Sequence, residues 1–267
     1  MGQGNELVFL GTGAACGNPV FYCGCAACQE ALEHPAEAKT CSSIAILGHE
    51  TTLVDTAPEL RLQLCREGIR GVDRVLFTHE HFDHTGGFPQ LEYAQRLTRR
   101  DPLPIYASAR CLAWLEAHFD WMWDVVSPHT VEPFQALEFD GVTYTALPAA
   151  HCPGAYGYLI EGGSTRMAYF PDTGPLPPAV RRRLEGIDVL IHDSTFIGRN
   201  WNPDTHTTVE GLLALGREVN AKAVYLMHCS MHFDEPRTGV QMRTWLESSC
   251  TDEMQAILPH DGMRLRF

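Results

Sequence analysis

The chain has 267 residues, 45% of them hydrophobic, which is enough for one large domain with its own core. A net charge of −13 sets its surface against a phosphate backbone and so against large nucleic-acid substrates. Residues 1–6 carry no basic run, and Leu7-Val8-Phe9-Leu10 is the only apolar stretch before a glycine. That start predicts neither a signal peptide nor a transmembrane helix, and ten cysteines without a secretory signal point to a reducing compartment, the cytoplasm.

In chain order, residues 6–10 read as a strand followed by the loop Gly11-Thr12-Gly13. Residues 43–47 and 52–55 read as a hairpin around Gly48-His49-Glu50, and 58–65 as a helix with proline in its first turn. A buried strand is expected at 73–77 and a helix within 87–98. The segment 112–126 is unusually aromatic (Trp114, Phe119, Trp121, Trp123) and fits a helix packed on the core, a lid or a dimer contact. Strands follow at 142–147, 156–160 and 166–170, and a helix near 180–184. The remainder alternates: strand 188–191, helix 207–219, strand 223–227, helix 238–247. Strand-rich halves with interspersed helices and no linker predict one layered α/β domain over 1–267, two sheets covered by helices.

The most informative stretch is Thr78-His79-Glu80-His81-Phe82-Asp83-His84-Thr85, directly after the strand at 73–77. A loop at a strand end can aim several imidazoles at one point, and neutral imidazoles with a carboxylate suit zinc, manganese or iron. Three further candidates follow strands in the same way: His151, Asp172 and His228. The count suits two divalent ions. One takes His79, His81 and His151; the other takes Asp83, His84 and His228; Asp172 bridges them. This leaves room for a water, which two cations would hold as hydroxide at neutral pH.

With these residues assembled, His79-x-His81-x-Asp83-His84 and the downstream His151, Asp172 and His228 resemble the metallo-β-lactamase superfamily. The resemblance runs from Gly11 to His232 and implies an αββα sandwich with a dinuclear site at one edge of the two sheets. It implies that Asp55 supports the metal loop without ligating metal. A bridging Asp172 implies the hydrolases of phosphodiesters, thioesters or lactones.

Cys23-x-Cys25-x-x-Cys28 supplies three thiolates at compact spacing, one short of a closed tetrahedral zinc site. His232 is a candidate fourth ligand, and Cys16, Cys41 and Cys152 are alternatives. Such a structural zinc would organise a loop at about residues 16–42. This cluster, with Gly11-Thr12-Gly13 and Thr130-Val131-Glu132-Pro133-Phe134, resembles the PhnP family of phosphoribosyl cyclic phosphodiesterases from the carbon–phosphorus lyase pathway. Three residues separate His228 from His232 here, where that family commonly has two. The coenzyme PQQ biosynthesis protein of the same superfamily also carries a comparable cysteine site.

His192-Asp193-Ser194-Thr195 and His206-Thr207-Thr208 are similar to paired motifs of the phosphodiesterase branch, which includes the tRNA 3′-endonucleases. The resemblance implies that His206 donates a proton to the leaving oxygen and that Asp193 orients it, with Asp83 as the catalytic carboxylate of the metal loop. The expected activity is metal-dependent hydrolysis of a small cyclic phosphate ester, 5-phosphoribosyl 1,2-cyclic phosphate, by hydroxide attack on phosphorus. Arg199 is a candidate reader of the 5-phosphate, and a homodimer is implied by the resemblance alone. The competing readings are a tRNA 3′-endonuclease, a lactonase or thioesterase, and a non-catalytic metal-binding biosynthetic protein.

Overall fold

The computed structural model describes residues 4–98, 101–251 and 253–267. Two seven-stranded sheets lie face to face between layers of helices. Strands and helices are numbered along the chain. The first sheet has the order β14 (Arg264–Arg266), β1 (Glu6–Gly11), β2 (Ser43–Leu47), β3 (Thr51–Val54), β4 (Arg74–Leu76), β5 (Leu103–Ala107) and β6 (Val126–Thr130). The second runs β13 (Gln255–Ile257), β12 (Ala223–Met227), β11 (Val189–Asp193), β10 (Thr165–Phe170), β9 (Tyr156–Gly162), β8 (Val142–Pro148) and β7 (Ala136–Phe139). Pairing is parallel from β3 to β6 and from β10 to β13, and antiparallel elsewhere.

The side chains alternate along each strand and so divide the core into three slabs. Leu7, Phe9, Ile44, Val54, Tyr144, Tyr158, Tyr169, Ile191 and Met227 fill the space between the sheets. Val8, Leu10, Leu53, Val75 and Ile105 face outward and meet α2 (Leu60–Glu67) and α5 (Ala109–His118). Leu190, Val224 and Leu226 do the same on the second sheet, beneath α6 (Pro178–Arg183), α7 (Val209–Glu218) and α8 (Gly239–Ser249). The remaining helices are α1 (Ala26–Glu33), α3 (Phe82–Thr85) and α4 (Glu92–Thr98). The layers are those of the αββα sandwich.

Local chemistry sets the element ends. Thr208 caps α7 by accepting from Gly211 N, and Thr238 with Gln241 forms a reciprocal capping box on α8. Gly68 ends α2 at φ 69°. The helix expected within 87–98 opens instead as a 3-10 turn, Phe88–Leu91, before α4. Pro89 cannot donate within that turn, and Gly87 lies so close to Ala57 that a Cβ would stand 2.0 Å from its carbonyl oxygen. The aromatic segment is a core cover. Leu115, Met122, Val125 and Val126 are buried in the outer slab of the first sheet, with Trp114, Phe119 and Trp123 packed against it. Among the described residues, no helix is long and apolar enough to cross a membrane.

Candidate metal centre and active site

The site lies where strands of both sheets end. The loop after β3 carries Asp55, the one after β4 carries His79 and His81 and runs into α3 with Asp83 and His84, and those after β8 and β10 carry His151 and Asp172. Asp193 is the last residue of β11, and His228 follows β12. Asp55 and His228 both take positive φ, 66° and 55°, a conformation non-glycine residues adopt rarely. In each case the chain leaves its strand through this turn, and the surrounding hydrogen bonds hold it there.

The structure gathers two groups of potential ligand atoms, each within 4.8 Å: His79, His81, His151 and Asp172, and Asp83, His84, Asp172 and His228. Asp172 belongs to both. Its carboxylate lies 3.5 Å from His79 Nε2, 3.3 Å from His84 Nε2, 3.5 Å from His151 Nε2 and 3.0 Å from His228 Nε2. His81 Nδ1 and His151 Nε2 are 3.0 Å apart, close to the ~3.3 Å edge of a tetrahedron built on 2.0–2.1 Å metal–nitrogen bonds.

In His79, His84, His151 and His228 the other ring nitrogen is already committed. His84 Nδ1 donates to Asp55 Oδ2 at 2.8 Å. Asp55 also accepts from the backbone and hydroxyl of Thr78, each at 2.8 Å. Because the Thr78 hydroxyl donates there, it accepts from His79 Nδ1, 3.0 Å away. His151 Nδ1 donates to the carbonyl of Thr205 at 2.9 Å, and His228 Nδ1 meets Thr195 Oγ1 at 2.8 Å. Such partners fix a tautomer and turn the lone pair of the opposite nitrogen toward a cation. His79 Nε2, His84 Nε2 and Asp172 Oδ1 are correspondingly buried without a hydrogen-bond partner. Orphaned polar atoms in a protein interior carry a desolvation cost, so three of them converging here fit a cation-binding pocket. The donor set, imidazole nitrogen and carboxylate oxygen, suits divalent transition ions.

The electrostatics agree. Burial, then the neighbouring His84, drives the pKa of His79 well below that of ordinary imidazole. Burial also opposes charge on His84, but Asp83, Asp172 and Asp55 outweigh it and hold its pKa well above the ordinary value. Burial pushes the Asp172 carboxyl upward, and His228 and His84 more than reverse the effect.

Beside this cluster, His206 Nδ1 bonds Asp193 Oδ2 at 2.8 Å. Asp193 is fully buried and also accepts from the backbone N–H groups of Thr173 (3.0 Å) and Thr195 (2.8 Å). His206 stacks near-parallel on His228 at 5.5 Å and meets His151 edge-on at 4.9 Å. Candidate ligand atoms of Asp172, Asp193, His206 and His228 all lie within 4.8 Å of one another. Burial works against a charge on His206, but the hydrogen bond and charge of Asp193, with Asp172 and Asp83 behind it, raise its pKa. His192 points elsewhere: it is buried on the helix-facing side of β11, with Nδ1 bonded to the Asp193 carbonyl at 2.9 Å.

The cysteine loop forms a separate cluster. Sulfurs of Cys23 and Cys28 and a nitrogen of His232 fall within 4.8 Å of one another. Cys25 sits outside that group but contacts both Cys23 and Cys28. Of the alternatives, Cys16 Sγ lies 3.1 Å from His232 Nε2, whereas Cys41 and Cys152 are placed beside Ala15 and Glu80. Burial pushes the Cys28 thiol up to about 12, a cost that coordination to zinc would relieve by stabilising the thiolate. Ten free cysteines and no disulfide occur among the described residues.

Sequence reasoning missed the roles of the threonines at 78, 195 and 205 that set the tautomers, although all three lie in or beside the motifs. It also missed Glu80, which accepts from Arg110 Nε at 2.7 Å and lies 3.6 Å from Cys152 Sγ, tying the histidine loop to the residue after His151.

The beta-lactamase superfamily domain family matches residues 50–229, and the chain belongs to it. It is a metallo-β-lactamase-fold hydrolase with His and Asp clusters able to bind metal. More particularly, it is similar over 100% of its length, and 98% of the other chain, to a new diphosphatase from the PhnP family, at 28% identity and a TM-score of 0.84. It is 29% identical to coenzyme PQQ synthesis protein B of Methylorubrum populi over 72% of this chain and 73% of the relative. The zinc-bound PqqB structure from Methylobacterium extorquens shares the fold, with 24% identity, a TM-score of 0.79 and coverage of 98% and 100%.

Proposed function

We propose that the protein is a phosphoric diester hydrolase acting on a small phosphorylated substrate in a reducing compartment, the cytoplasm, with 5-phosphoribosyl 1,2-cyclic phosphate the first substrate to test. The observation that carries this reading is the Asp193–His206 pair, joined at 2.8 Å beside the shared ligand Asp172. Hydrolysis of a diester with a sugar leaving group needs a proton at the departing oxygen, and the pair is built to supply one. The PhnP-family likeness supports the same class.

His79, His81 and His151 would hold one cation and Asp83, His84 and His228 the other, with Asp172 between them. Zinc, manganese and iron all suit these donors. When bound, such ions lower the pKa of a water and offset charge on phosphoryl oxygens. Asp55, Thr78, Thr195 and the Thr205 carbonyl keep the four buried or half-buried imidazoles in the tautomers that leave a lone pair toward the centre. Asp193 spends two acceptor positions on backbone amides, which fixes its carboxylate and the plane in which it meets His206. His206 then holds its transferable proton on Nε2, because Nδ1–H is committed to Asp193. Cys23, Cys25, Cys28 and His232 would hold a structural zinc that anchors the N-terminal loop next to the turn carrying His228.

The test is hydrolysis of 5-phosphoribosyl 1,2-cyclic phosphate, bis-p-nitrophenyl phosphate, a lactone and a pre-tRNA by the metal-loaded protein, with the metal counted. Cleavage of the diesters supports the proposal. A fully loaded protein that cleaves no phosphodiester overturns it. The relatedness to coenzyme PQQ synthesis protein B favours a second reading, a role in cofactor biosynthesis without diester hydrolysis, and it predicts that second result.

A further inference from the structure

The helical layer on the first sheet holds a cavity that draws nothing from the metal cluster. It lies between α2, the loop after it and α4, with a volume of about 260 Å³. Leu60, Val72 and Leu91 form buried walls, with Leu64 and Ile69 half-buried beside them. Gln90 fixes the shape. Its Oε1 accepts from the amide of Arg61 at 2.8 Å and its Nε2 donates to the carbonyl of Pro58 at 2.7 Å, clipping the 3-10 turn to the start of α2. Two kinds of polar group line these apolar walls. Gln95 is only 5% exposed, and its Oε1 is buried without a hydrogen-bond partner, a desolvation cost that a donor would relieve. Arg61 and Arg70 are exposed at the rim. Ten arginines of this chain pair with a carboxylate, as expected where acidic residues outnumber basic ones 33 to 20. Among the described residues the guanidinium groups of Arg61 and Arg70 have no such partner, and both line the same cavity.

We propose that this cavity is a second ligand site, remote from the metal centre, for an N-acylated apolar amino acid. Each part of that molecule answers one feature of the site. The apolar side chain fills the slot between Leu60, Val72 and Leu91. The carboxylate supplies the anion that Arg61 and Arg70 lack, in the geometry a guanidinium favours. The secondary amide offers both an N–H and a carbonyl oxygen, so it satisfies the Gln95 amide whichever way that group is turned. Size argues for one residue and not a larger ligand, because clefts that take drug-sized molecules run to about 300–1,000 Å³. The Gln90 clip leaves the cavity formed before anything binds, which spares the ligand the cost of ordering its walls.

The experiment is calorimetric titration of the metal-loaded protein with N-acetyl-L-leucine. One site is expected with Kd on the order of 0.1–1 mM, from the usual ligand efficiency of so small a molecule. N-acetyl-L-leucinamide, which lacks the charge, and 4-methylpentanoate, which lacks the amide, should each bind about tenfold more weakly. Arg70→Ala and Gln95→Leu should each weaken N-acetyl-L-leucine by a similar factor. Ala94→Trp changes an exposed residue that lines the cavity, so the protein should fold and its slot should be blocked. Binding that survives Ala94→Trp lies elsewhere, on the bound metals for instance, and overturns the site. So does an absence of binding at 10 mM, or equal affinity for the leucinamide. Triglycyl-leucine carries the same end group on a longer chain. An affinity more than tenfold above that of N-acetyl-L-leucine would make the occupant a peptide terminus and overturn the assignment to a single residue. A dimer that Ala94→Trp dissociates, seen by sedimentation, would mean that a second copy of the chain covers the cavity, and it too overturns the ligand site.

Discussion

Asp55 Oδ2 stands 2.8 Å from Nδ1 of His84, and both side chains are wholly buried. The carboxylate holds a proton on Nδ1 and so turns Nε2 toward Asp83 and Asp172, each 3.3 Å away. Asp55→Asn would offer an amide N–H in place of one carboxylate oxygen and favour the opposite tautomer, with a proton where a cation should bind. Loss of such an outer partner costs about 10–100-fold in metal affinity. Competition with a chelating dye should show a drop of that size, with the second group of ligands affected more than the first. Unchanged affinity would reduce Asp55 to a brace for the Thr78 turn.

Removing the proposed proton donor should discriminate between leaving groups. His206→Ala is expected to keep its metals and lose about 10²–10⁴-fold in kcat on diesters that expel a sugar alkoxide. On bis-p-nitrophenyl phosphate the loss should be far smaller, because nitrophenolate departs without a proton. A metal count lowered in step with activity would make His206 a ligand.

The same pair sets a pH dependence. In the proposed role the protonated imidazole is the active form, so turnover of the sugar ester should fall as pH rises through the raised pKa of His206. Bound cations would cancel the pull of Asp172 and Asp83, which leaves the Asp193 contact as the lasting part of the shift. Asp193→Asn should therefore move the basic limb of the kcat–pH profile to lower pH. A limb that stays in place would show that another group governs it.

Much of this centre was legible in the sequence because its ligands are the rare residues that strand ends present together. All seven candidate ligands are histidines or aspartates, four of them within four residues of a strand end, and the strands themselves are plain runs such as Leu7-Val8-Phe9-Leu10 and Ala223-Val224-Tyr225-Leu226-Met227. The elements that escaped lacked such signals. Arg264–Arg266 and Gln255–Ile257 are three-residue edge strands whose pairing depends on distant partners, Glu6 to Val8 and Ala223 to Tyr225. Val126–Thr130 is a strand that contains Pro128 and exposes its second half, and it too lies at a sheet edge. The threonines that fix the imidazoles are common residues with nothing in their spacing to mark them.

Metal binding should release protons. In the cation-free cluster the pKa of His84 stands well above that of ordinary imidazole, against the effect of burial and because of Asp83, Asp172 and Asp55. A cation taking Nε2 must displace the proton held there, so affinity should fall as pH falls and binding at neutral pH should liberate about one proton at this histidine. Calorimetric titration in two buffers of different ionisation enthalpy measures the number directly. Heats independent of the buffer would mean that His84 is already neutral before the metal arrives.

The cysteine loop gives the last test, because its role is separable from the chemistry. Cys28 is buried, with its thiol pushed up to about 12, and lies within reach of Cys23, Cys25 and His232. Cys25→Ser should lower the metal content by about one zinc and reduce the melting temperature, since a structural site contributes its binding energy to folding. The surviving folded protein should retain most of its turnover, because the His and Asp cluster draws no ligand from this loop. Cys16→Ser distinguishes the spare thiol from the ligands. Its sulfur already sits 3.1 Å from His232 Nε2, so a zinc count that drops with Cys16→Ser and holds with Cys25→Ser would exchange the two residues in the coordination set.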